Sequence, residues 1–306
     1  MSVHAPRYVI ISPVRNEEQY LGGTIACIAA QSVLPAQYII VDDGSTDRTP
    51  EIIREACASH PWISSVSRQD RGERRVGPGV VEAFYDGYRS IGAQDYDFIC
   101  KMDGDLTVGP RYFETLFARF REDPYLGAAS GKLFLDLGDG RLVEERITDE
   151  SVLGGVLCLK RKCFDAIGGF VQQVMWDGIT FHRCRMEGFR TRSFRDRDLM
   201  IYDHRIMGSS HKSIFHGRTR WGWGQYFMGT HPLYILAVGA YRMLERPFVV
   251  GGLLILWGYI RAWIENTPRY DHPGFRKSLR AWQMERLGLG RRLEAIPPVP
   301  TQRGRP

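Results

Sequence analysis

The pattern of hydrophobic and polar positions alternates, over residues 7–122, between short apolar runs and segments with helical spacing. Short β-branched runs predict strands, and apolar residues three or four positions apart predict helices. The predicted strands are 7–13, 37–41, 62–67 and 96–102, and the predicted helices are 16–30, 49–59, 80–91 and 110–122. This alternation predicts an α/β fold in which helices cover both faces of a mainly parallel sheet.

The middle of the chain has a less regular pattern. Further strands are predicted at 127–135, within 144–161 and within 191–202, and a helix is predicted at 176–188. The segment 208–224 is rich in glycine and basic residues. Such a composition indicates a loop, which we expect to lie over the candidate site.

The C-terminal region has a more apolar pattern. Residues 233–244 have helical spacing, and the uncharged run 248–260 (FVVGGLLILWGYI) follows a break at proline. A helix of that length spans roughly 20 Å, which is less than the ~30 Å hydrocarbon core of a bilayer. We therefore expect this run to lie in the membrane plane or to re-enter it. A buried hairpin in an oligomer interface is the alternative.

Composition and charge add a possible partner for this region. The 306-residue chain is 43% hydrophobic and 25% charged, as is typical of a folded protein. Its formal net charge is +6, and lysines and arginines recur from Lys212 onward. Basic residues near apolar stretches indicate an anionic membrane surface, with a solvated basic face as the alternative. No nucleic-acid-binding motif is recognised, so we expect no nucleic-acid partner.

Two acidic clusters each follow an apolar predicted strand. The motif VDDGSTDRT contains Asp42 and Asp43, and the motif KMDGDLTV contains Asp103 and Asp105. In open α/β sheets, ligands bind at the edge where the parallel strands end. Carboxylates are hard oxygen ligands that suit Mg²⁺ or Mn²⁺ carrying a substrate phosphate. The sequence therefore predicts a metal-dependent enzyme that acts on a nucleotide-diphosphate compound, whereas a polar turn after each strand is the structural alternative.

Four motifs, in this order, resemble the family-2 glycosyltransferases: IISPVRNEEQYL, VDDGSTDRTPEII, FICKMDGDLTV and GGFVQQVMWDGITFHRCRMEG. The resemblance covers about residues 7–200 and implies a GT-A fold with inverting transfer of a sugar from a nucleotide sugar. Processive members of the family carry a Gln-x-x-Arg-Trp motif. This chain has RWGWGQ at residues 220–225, in a different order. We therefore expect a non-processive enzyme.

The resemblance also implies roles for residues around the nucleotide. Pro13 and Arg15 would line the base pocket, Asp43 would contact the base, and Asp42 would support it.

The remaining roles concern the metal, the diphosphate and the acceptor. Asp103, Gly104 and Asp105 would form the DxD motif that binds the metal and the diphosphate, and Asp177 would be the general base. The family has a glutamate before this aspartate, but this chain has Trp176, which could offer a stacking face to a sugar.

One histidine and five basic residues are candidates for binding the metal or the diphosphate. His204 follows the last predicted strand and is a candidate metal ligand, although a lone histidine is more often structural or exposed. The basic candidates for the departing diphosphate are Arg74, Arg75, Lys212, Arg218 and Arg220.

These observations predict three parts: a GT-A glycosyltransferase domain at residues 1–225, an apolar or amphipathic helical region at 226–290, and a disordered tail at 291–306. The expected partners are a nucleotide-diphosphate sugar, a lipid-linked or polysaccharide-precursor acceptor, and a membrane surface contacted by the C-terminal helices. A homo-oligomer remains open. The expected location is the cytoplasmic side of the cell membrane, as a peripheral or monotopic protein.

Two rival functions are compatible with the same residues. In a polyprenyl-phosphate glycosyltransferase the acceptor is the lipid phosphate itself, which needs little help from a base. A catalytically silent scaffold would bind a nucleotide sugar or a membrane and recruit partners. The intact set of Asp43, Asp103, Asp105 and Asp177 argues against the scaffold, because a silent copy need not keep all four.

Overall fold

A computed structural model describes residues 6–72, 77–92, 95–136, 142–145, 147–204, 214–245 and 247–290. The described residues form two compact units, one up to residue 204 and one from residue 214. The predicted tail at 291–306 lies outside the described residues. The predicted domain boundary at residue 225 stays a prediction.

The first unit is built on one sheet. Its strands, as far as the structure describes them, are β1 (Tyr8–Val14), β2 (Gln37–Asp42), β3 (Ile63–Ser67), β4 (Phe98–Met102), β5 (Leu106–Val108), β6 (Leu126–Asp136), β7 (Leu142–Glu144), β8 (Val156–Lys160), β9 (Arg190–Phe194) and β10 (Met200–Asp203). Their order is β3-β2-β1-β4-β8-β6-β10-β5, with β7 and β9 also paired to β6. Strands β1 to β4 pair in parallel, whereas β8 is antiparallel to both β4 and β6.

Helices cover both faces of this sheet. The described helices of the first unit are α1 (Leu21–Ala29), α2 (Thr49–Ser59), α3 (Pro78–Arg89), α4 (Tyr112–Glu122), α5 (Arg161–Ala166) and α6 (Trp176–Met186). Because side chains alternate along a strand, Tyr8 and Ile10 of β1 enter one apolar core and Val9 and Ile11 enter the other. The predicted α/β fold with a mainly parallel sheet is confirmed.

Two predicted elements differ from the observed ones. The helix predicted from residue 16 begins at Leu21, because Asn16 has a φ of 54°, which a right-handed helix does not allow. The single strand-like stretch predicted within 191–202 is two strands, β9 and β10, with a 3₁₀ turn at Arg197–Leu199 between them.

The second unit, within the described residues, consists of helices. They are α7 (Ile214–Met228), α8 (Pro232–Arg242), α9 (Val250–Ile264) and α10 (Phe275–Arg286). The prediction of a loop at 208–224 is wrong for residues 214–224, which belong to α7; residues 208–213 lie outside the described part of the chain.

Glycines explain both the wrong prediction and the packing of this unit. A Cβ on Gly222 of α7 would lie 1.9 Å from the carbonyl oxygen of Ile255 on α9. A Cβ on Gly258 of α9 would lie 2.0 Å from the carbonyl oxygen of Thr219 on α7. Since these distances exclude any side chain, the glycines serve a close backbone contact between two helices and not chain flexibility.

We expect Gly258→Ala to lower the free energy of unfolding by about 1–3 kcal/mol, because α7 and α9 must move apart to admit the methyl group. Urea denaturation followed by tryptophan fluorescence measures this loss. Gly251→Ala is the matched control on α9, since its Cβ would meet nothing closer than the Pro247 side chain at 3.5 Å. This control should be neutral or stabilising by up to about 1 kcal/mol. Equal losses in the two variants would contradict the close-contact explanation.

Candidate functional site

The ends of neighbouring parallel strands bring the predicted base-pocket residues together. Pro13 on β1 pairs with Val41 on β2, and the Asp43 N–H donates to the Val14 carbonyl at 2.8 Å. This bond extends the β1–β2 ladder by one step past β2. The half-buried Pro13 and the buried Asp43 therefore lie at the same sheet edge, where ligands bind in this class of fold.

Arg15 and Asp42 fix the loops around this edge. The guanidinium of Arg15, which is 8% exposed, donates to the Asp43 carbonyl at 2.6 Å and to the Asp70 carboxylate at 2.6 Å. The Asp42 carboxylate accepts from the Ser45 N–H at 2.9 Å. In the described structure Asp42 thus holds the turn after β2, as a supporting residue would, and Arg15 joins two loops.

Two arginines that the sequence analysis missed hold the Asp43 carboxylate. Arg68 contacts one oxygen at 2.6 Å, and Arg71 contacts the other. Arg71 also pairs with Glu82 on α3 at 2.9 Å. Burial raises the pKa of Asp43, and the two guanidinium groups act in the opposite direction and favour the charged form. The two arginines lie together in the polar segment directly after β3 and had no distinguishing pattern in the sequence.

The acidic motif forms the turn between β4 and β5. A Cβ on Gly104 would lie 2.6 Å from a methyl group of Val14, and the Thr24 hydroxyl donates to the Gly104 carbonyl at 2.9 Å. Glycine therefore lets this turn approach β1 closely. Asp103 and Asp105, on either side, are partly exposed at the edge that also carries Asp43.

Helix α6 begins with Trp176 and Asp177. Asp177 is the predicted general base. The Asp103 N–H donates to the Gly155 carbonyl at 2.8 Å, and a Cβ on Gly154 would lie 3.3 Å from an Asp177 carboxylate oxygen. The glycine pair thus bridges the acidic motif and Asp177. Burial raises the pKa of Asp177; the nearby Lys101 ammonium lowers it, and the Asp103 carboxylate raises it further.

Trp176 occupies the position where the family has a glutamate. Trp176 is 8% exposed, and the centroids of its ring and the Phe170 ring are 4.8 Å apart. A Cβ on Gly154 would lie 3.0 Å from a carbon of the Trp176 ring. In the described structure the ring is therefore packed against protein. Stacking of this ring on a sugar stays a prediction.

His204 lies next to the acidic motif. Strands β10 and β5 pair in antiparallel fashion up to Asp203 and Leu106, so that His204 and Asp105 both flank the end of this ladder. The His204 Nε2 atom is 3.1 Å from the Thr107 hydroxyl, and its ring stacks on Tyr20 with centroids 5.9 Å apart. These contacts orient the imidazole.

The residues at this edge fit a divalent cation that also binds phosphate. Among the described residues, no three His, Cys, Asp or Glu side chains converge as a complete protein metal site. Carboxylate and imidazole ligands from Asp105 and His204 suit Mn²⁺ or Mg²⁺ when diphosphate oxygens complete the coordination. The carboxylate of Asp103 is already paired with Lys101.

Lys101 is the second feature that sequence analysis missed. It is 3% exposed on β4, although it carries a charge within the run FICKM. A charged residue inside an otherwise apolar buried strand was the available signal, because such a residue needs a partner. Of the basic candidates, Arg74, Arg75 and Lys212 lie outside the described residues, and Arg218 and Arg220 belong to α7 of the second unit.

The family model of glycosyl transferase family 2 matches residues 9–170, more than half of the chain. The chain belongs to glycosyl transferase family 2. It is 26% identical to poly-beta-1,6-N-acetyl-D-glucosamine synthase of Staphylococcus aureus strain COL over 38% of this chain and 26% of that protein. It is also 26% identical to glycosyltransferase AglD of Haloferax volcanii, over 60% of this chain and 27% of that protein. The chain thus spans about a quarter of the length of these curated relatives.

Solved structures with a similar fold include a mannosyltransferase and the protein TarS. The mannosyltransferase PcManGT from Pyrobaculum calidifontis, in complex with GDP-Man and Mn²⁺, has a TM-score of 0.58 at 16% identity, over 86% of this chain and 88% of that chain. S. aureus TarS 1-349 in complex with UDP has a TM-score of 0.52 at 15% identity, over 94% of both chains. At these identities the likeness shows the GT-A-like fold.

We expect Asp43→Asn to lower the free energy of unfolding by about 2 kcal/mol, because Arg68 and Arg71 lose the charge that they share. Thermal and urea unfolding measure this loss. Asp95→Asn is the control: the Asp95 side chain is 89% exposed and pairs with Arg7 at 3.5 Å, so its loss should be within about 0.5 kcal/mol. Similar values for the two variants would show that the arginine pair does not depend on Asp43.

Proposed function

We propose that this family-2 glycosyltransferase transfers one sugar, with inversion, from a nucleotide-diphosphate sugar to an acceptor hydroxyl, in a metal-dependent reaction. The observation that carries the proposal is the approach of the acidic motif and Asp177 to the same pair of glycines, Gly154 and Gly155. A diphosphate-binding motif and a base candidate then face one space, which is what displacement at an anomeric carbon requires.

The donor would be held at the strand edge. Pro13 and Arg15 would line the base pocket, and Asp43, oriented by its arginines and supported by the turn at Asp42, would contact the base. The fold neighbours are known in complex with GDP-Man and Mn²⁺ and with UDP. These complexes support a nucleotide-sugar donor and a divalent cation for this chain.

In the transfer step the acceptor oxygen attacks the anomeric carbon while Asp177 takes the proton from that oxygen. The bond between the anomeric carbon and the diphosphate oxygen breaks, and the diphosphate leaves with the bonding electron pair. Asp105 and His204 would hold Mg²⁺ or Mn²⁺, with Asp103 and Gly104 in the same turn. When bound, the cation stabilises the negative charge of the departing diphosphate.

The acceptor is proposed to be lipid-linked or a polysaccharide precursor. One curated relative is a polysaccharide synthase by name, which supports this class of acceptor. Replacement of the family's glutamate by Trp176 removes a carboxylate from the acceptor side of the site. A less negative acceptor side also suits an acceptor that carries phosphate, as lipid-linked precursors do.

An exposed apolar surface of the second unit supports a lipid-linked acceptor. Most large exposed hydrophobic side chains of the described residues are in this unit. On α9, Leu253, Trp257, Ile260 and Ile264 are 43–70% exposed and follow each other at intervals of one helical turn. Leu233, Leu236, Tyr241 and Leu244 are exposed along and just beyond α8. We call these eight residues the α8–α9 apolar face.

An anionic lipid surface fits the apolar face better than a second copy of the chain. Exposed basic residues accompany it in the same unit: Arg261, Arg276, Lys277 and Arg286. Anionic headgroups would attract these charges, whereas a second copy of the chain carries the same formal net charge of +6. We therefore propose a peripheral or monotopic protein on the cytoplasmic side of the cell membrane. No helix among those described has the length and hydropathy to cross a bilayer.

The first prediction concerns Asp177. The pKa of Asp177 is raised overall, because burial and the Asp103 carboxylate outweigh the lowering effect of the Lys101 ammonium. As the pH falls, the Asp177 carboxylate is therefore protonated at a higher pH than an ordinary aspartate, whose pKa is about 3.9. The kcat of wild-type protein should therefore rise with pH through an acidic limb above that value. Asp177→Asn should lower kcat by about 10²–10⁴-fold and remove this limb. Transfer assays with UDP- and GDP-sugars across pH test both.

Donor binding in the same variant is the control, and its affinity should stay within about twofold of wild type, since Asp177 contacts the acceptor and not the donor. Full turnover in Asp177→Asn would reject the base assignment. A loss below tenfold would instead favour the polyprenyl-phosphate reaction. Donor binding without transfer or hydrolysis by the wild-type protein would favour the silent scaffold.

The second prediction concerns the membrane. We expect the double variant Leu253→Glu, Trp257→Glu to bind vesicles containing phosphatidylglycerol at least about tenfold more weakly than wild type, because two charges replace side chains that would be buried in lipid. Co-sedimentation with vesicles of increasing phosphatidylglycerol content measures binding.

Leu34→Glu is the matched control, since Leu34 is 48% exposed in the first unit and should not affect binding. Wild-type binding that does not increase with anionic lipid would count against the proposal. A wild-type dimer that the double variant dissociates, with no vesicle binding, would show that the face is an oligomer interface.

A further inference from the structure

Lys101 contacts three residues of the candidate site. Its ammonium pairs with the Asp103 carboxylate and donates to the Gly154 carbonyl at 2.7 Å. The Nζ atom also lies 5.4 Å from the centroid of the Trp176 ring. All three contacts belong to residues that line the proposed reaction space.

Burying the charged side chain of Lys101 is unfavourable, which indicates that the charge has a role in the site. The side chain is 3% exposed, on a strand between two other strands, and burial of an ammonium is strongly unfavourable without a compensating partner. Along β4, Phe98, Cys100 and Met102 enter one apolar core, so the alternation places Lys101 on the other face, with Ile99 and Trp176. An aliphatic residue would satisfy the packing of this face without the cost of a buried charge.

The ion pair with Asp103 indicates how Lys101 affects the charge of the acidic motif. The Asp103 carboxylate is 39% exposed, so it lies at the surface of the site while its counter-ion lies beneath it. The ammonium neutralises one of the two carboxylates of the motif before any ligand arrives. It also repels a second cation, because like charges a few ångströms apart repel each other more strongly in a partly buried site than in water.

We propose that Lys101 is a positioning residue that acts as the internal counter-ion of Asp103 and makes metal binding dependent on the nucleotide diphosphate. This inference rests on the proposed function and concerns the same site. Without a nucleotide, Asp105 and His204 are the further ligands that we propose among the described residues, and Lys101 opposes a divalent cation. The negative charge of the diphosphate offsets this opposition, so that cation and donor enter together.

The inference predicts a gain of metal binding on removal of Lys101, which loss of a merely structural residue would not produce. We expect Lys101→Met to bind Mn²⁺ about tenfold more tightly than wild type in the absence of nucleotide, because the Asp103 charge becomes available. The enhancement of Mn²⁺ binding by GDP or UDP should shrink by a similar factor. Electron paramagnetic resonance of free Mn²⁺ measures both quantities without turnover.

Three further variants make the test decisive. Lys101→Gln keeps a donor for the Gly154 carbonyl but lacks the charge, so it should behave like Lys101→Met and replaces it if that variant does not fold. Lys101→Arg keeps the charge and should bind Mn²⁺ as wild type does. Lys160→Met removes a half-buried lysine at the far end of the adjacent strand β8, where Lys160 pairs with Phe98, and should change nothing.

A folded, neutral Lys101 variant with Mn²⁺ affinity within twofold of wild type, or weaker, would overturn the inference. Circular dichroism and thermal melting establish folding. Because Mn²⁺ binding needs no sugar transfer, an inactive wild-type protein would reject the proposed function while the Lys101 inference would still be decided by the metal titration.

Discussion

Like-charged carboxylates crowded at one sheet edge are the constraint on which the rest of the first unit depends. Parallel strands that end together bring Asp42, Asp43, Asp103 and Asp105 to this edge, and α6 adds Asp177 nearby. Such a set repels itself unless cations are built in. Three of these carboxylates have compensating partners: the guanidinium groups of Arg68 and Arg71 at Asp43, the buried ammonium of Lys101 at Asp103, and the Ser45 N–H at Asp42.

The consequence of this arrangement is a division of the edge into two electrostatic regions. Around Asp43 the charge is balanced by Arg68 and Arg71, which are also tied to α3 through Glu82 and Asp86, so that these loops are held in place. Around the acidic motif, the described residues supply Lys101 as a buried cation. Under the proposed function, the first region would hold the base and the second would meet a donor that brings its own negative charge.

Glycine performs one physical task in both units, which is to let backbones approach. In the first unit, Gly104 brings the acidic turn to β1, and Gly154 and Gly155 bring α6 to the acidic motif. In the second unit, Gly222 and Gly258 bring α7 against α9. The inward side of α9 carries mainly small residues together with Ile255, and the large apolar residues Leu253, Trp257 and Ile260 are on the outward side. The close helix contact and the exposed apolar face therefore have a common origin in the sequence.

The sequence by itself determined the elements whose pattern is local. Strands β1 to β4, the helix at 49–59 and the two acidic strand ends could be predicted because their signals are β-branched runs, helical spacing and carboxylates after a strand. It did not determine the segment at 214–224, where glycines that are typical of a loop instead serve helix packing. Tertiary structure alone decided that Lys101, Arg68 and Arg71 belong to the site. Asp43, the partner of Arg68 and Arg71, comes from a distant part of the chain, as do Gly154 and Trp176, which Lys101 contacts. Such contacts depend on the folded distance between the groups and not on their spacing in the sequence.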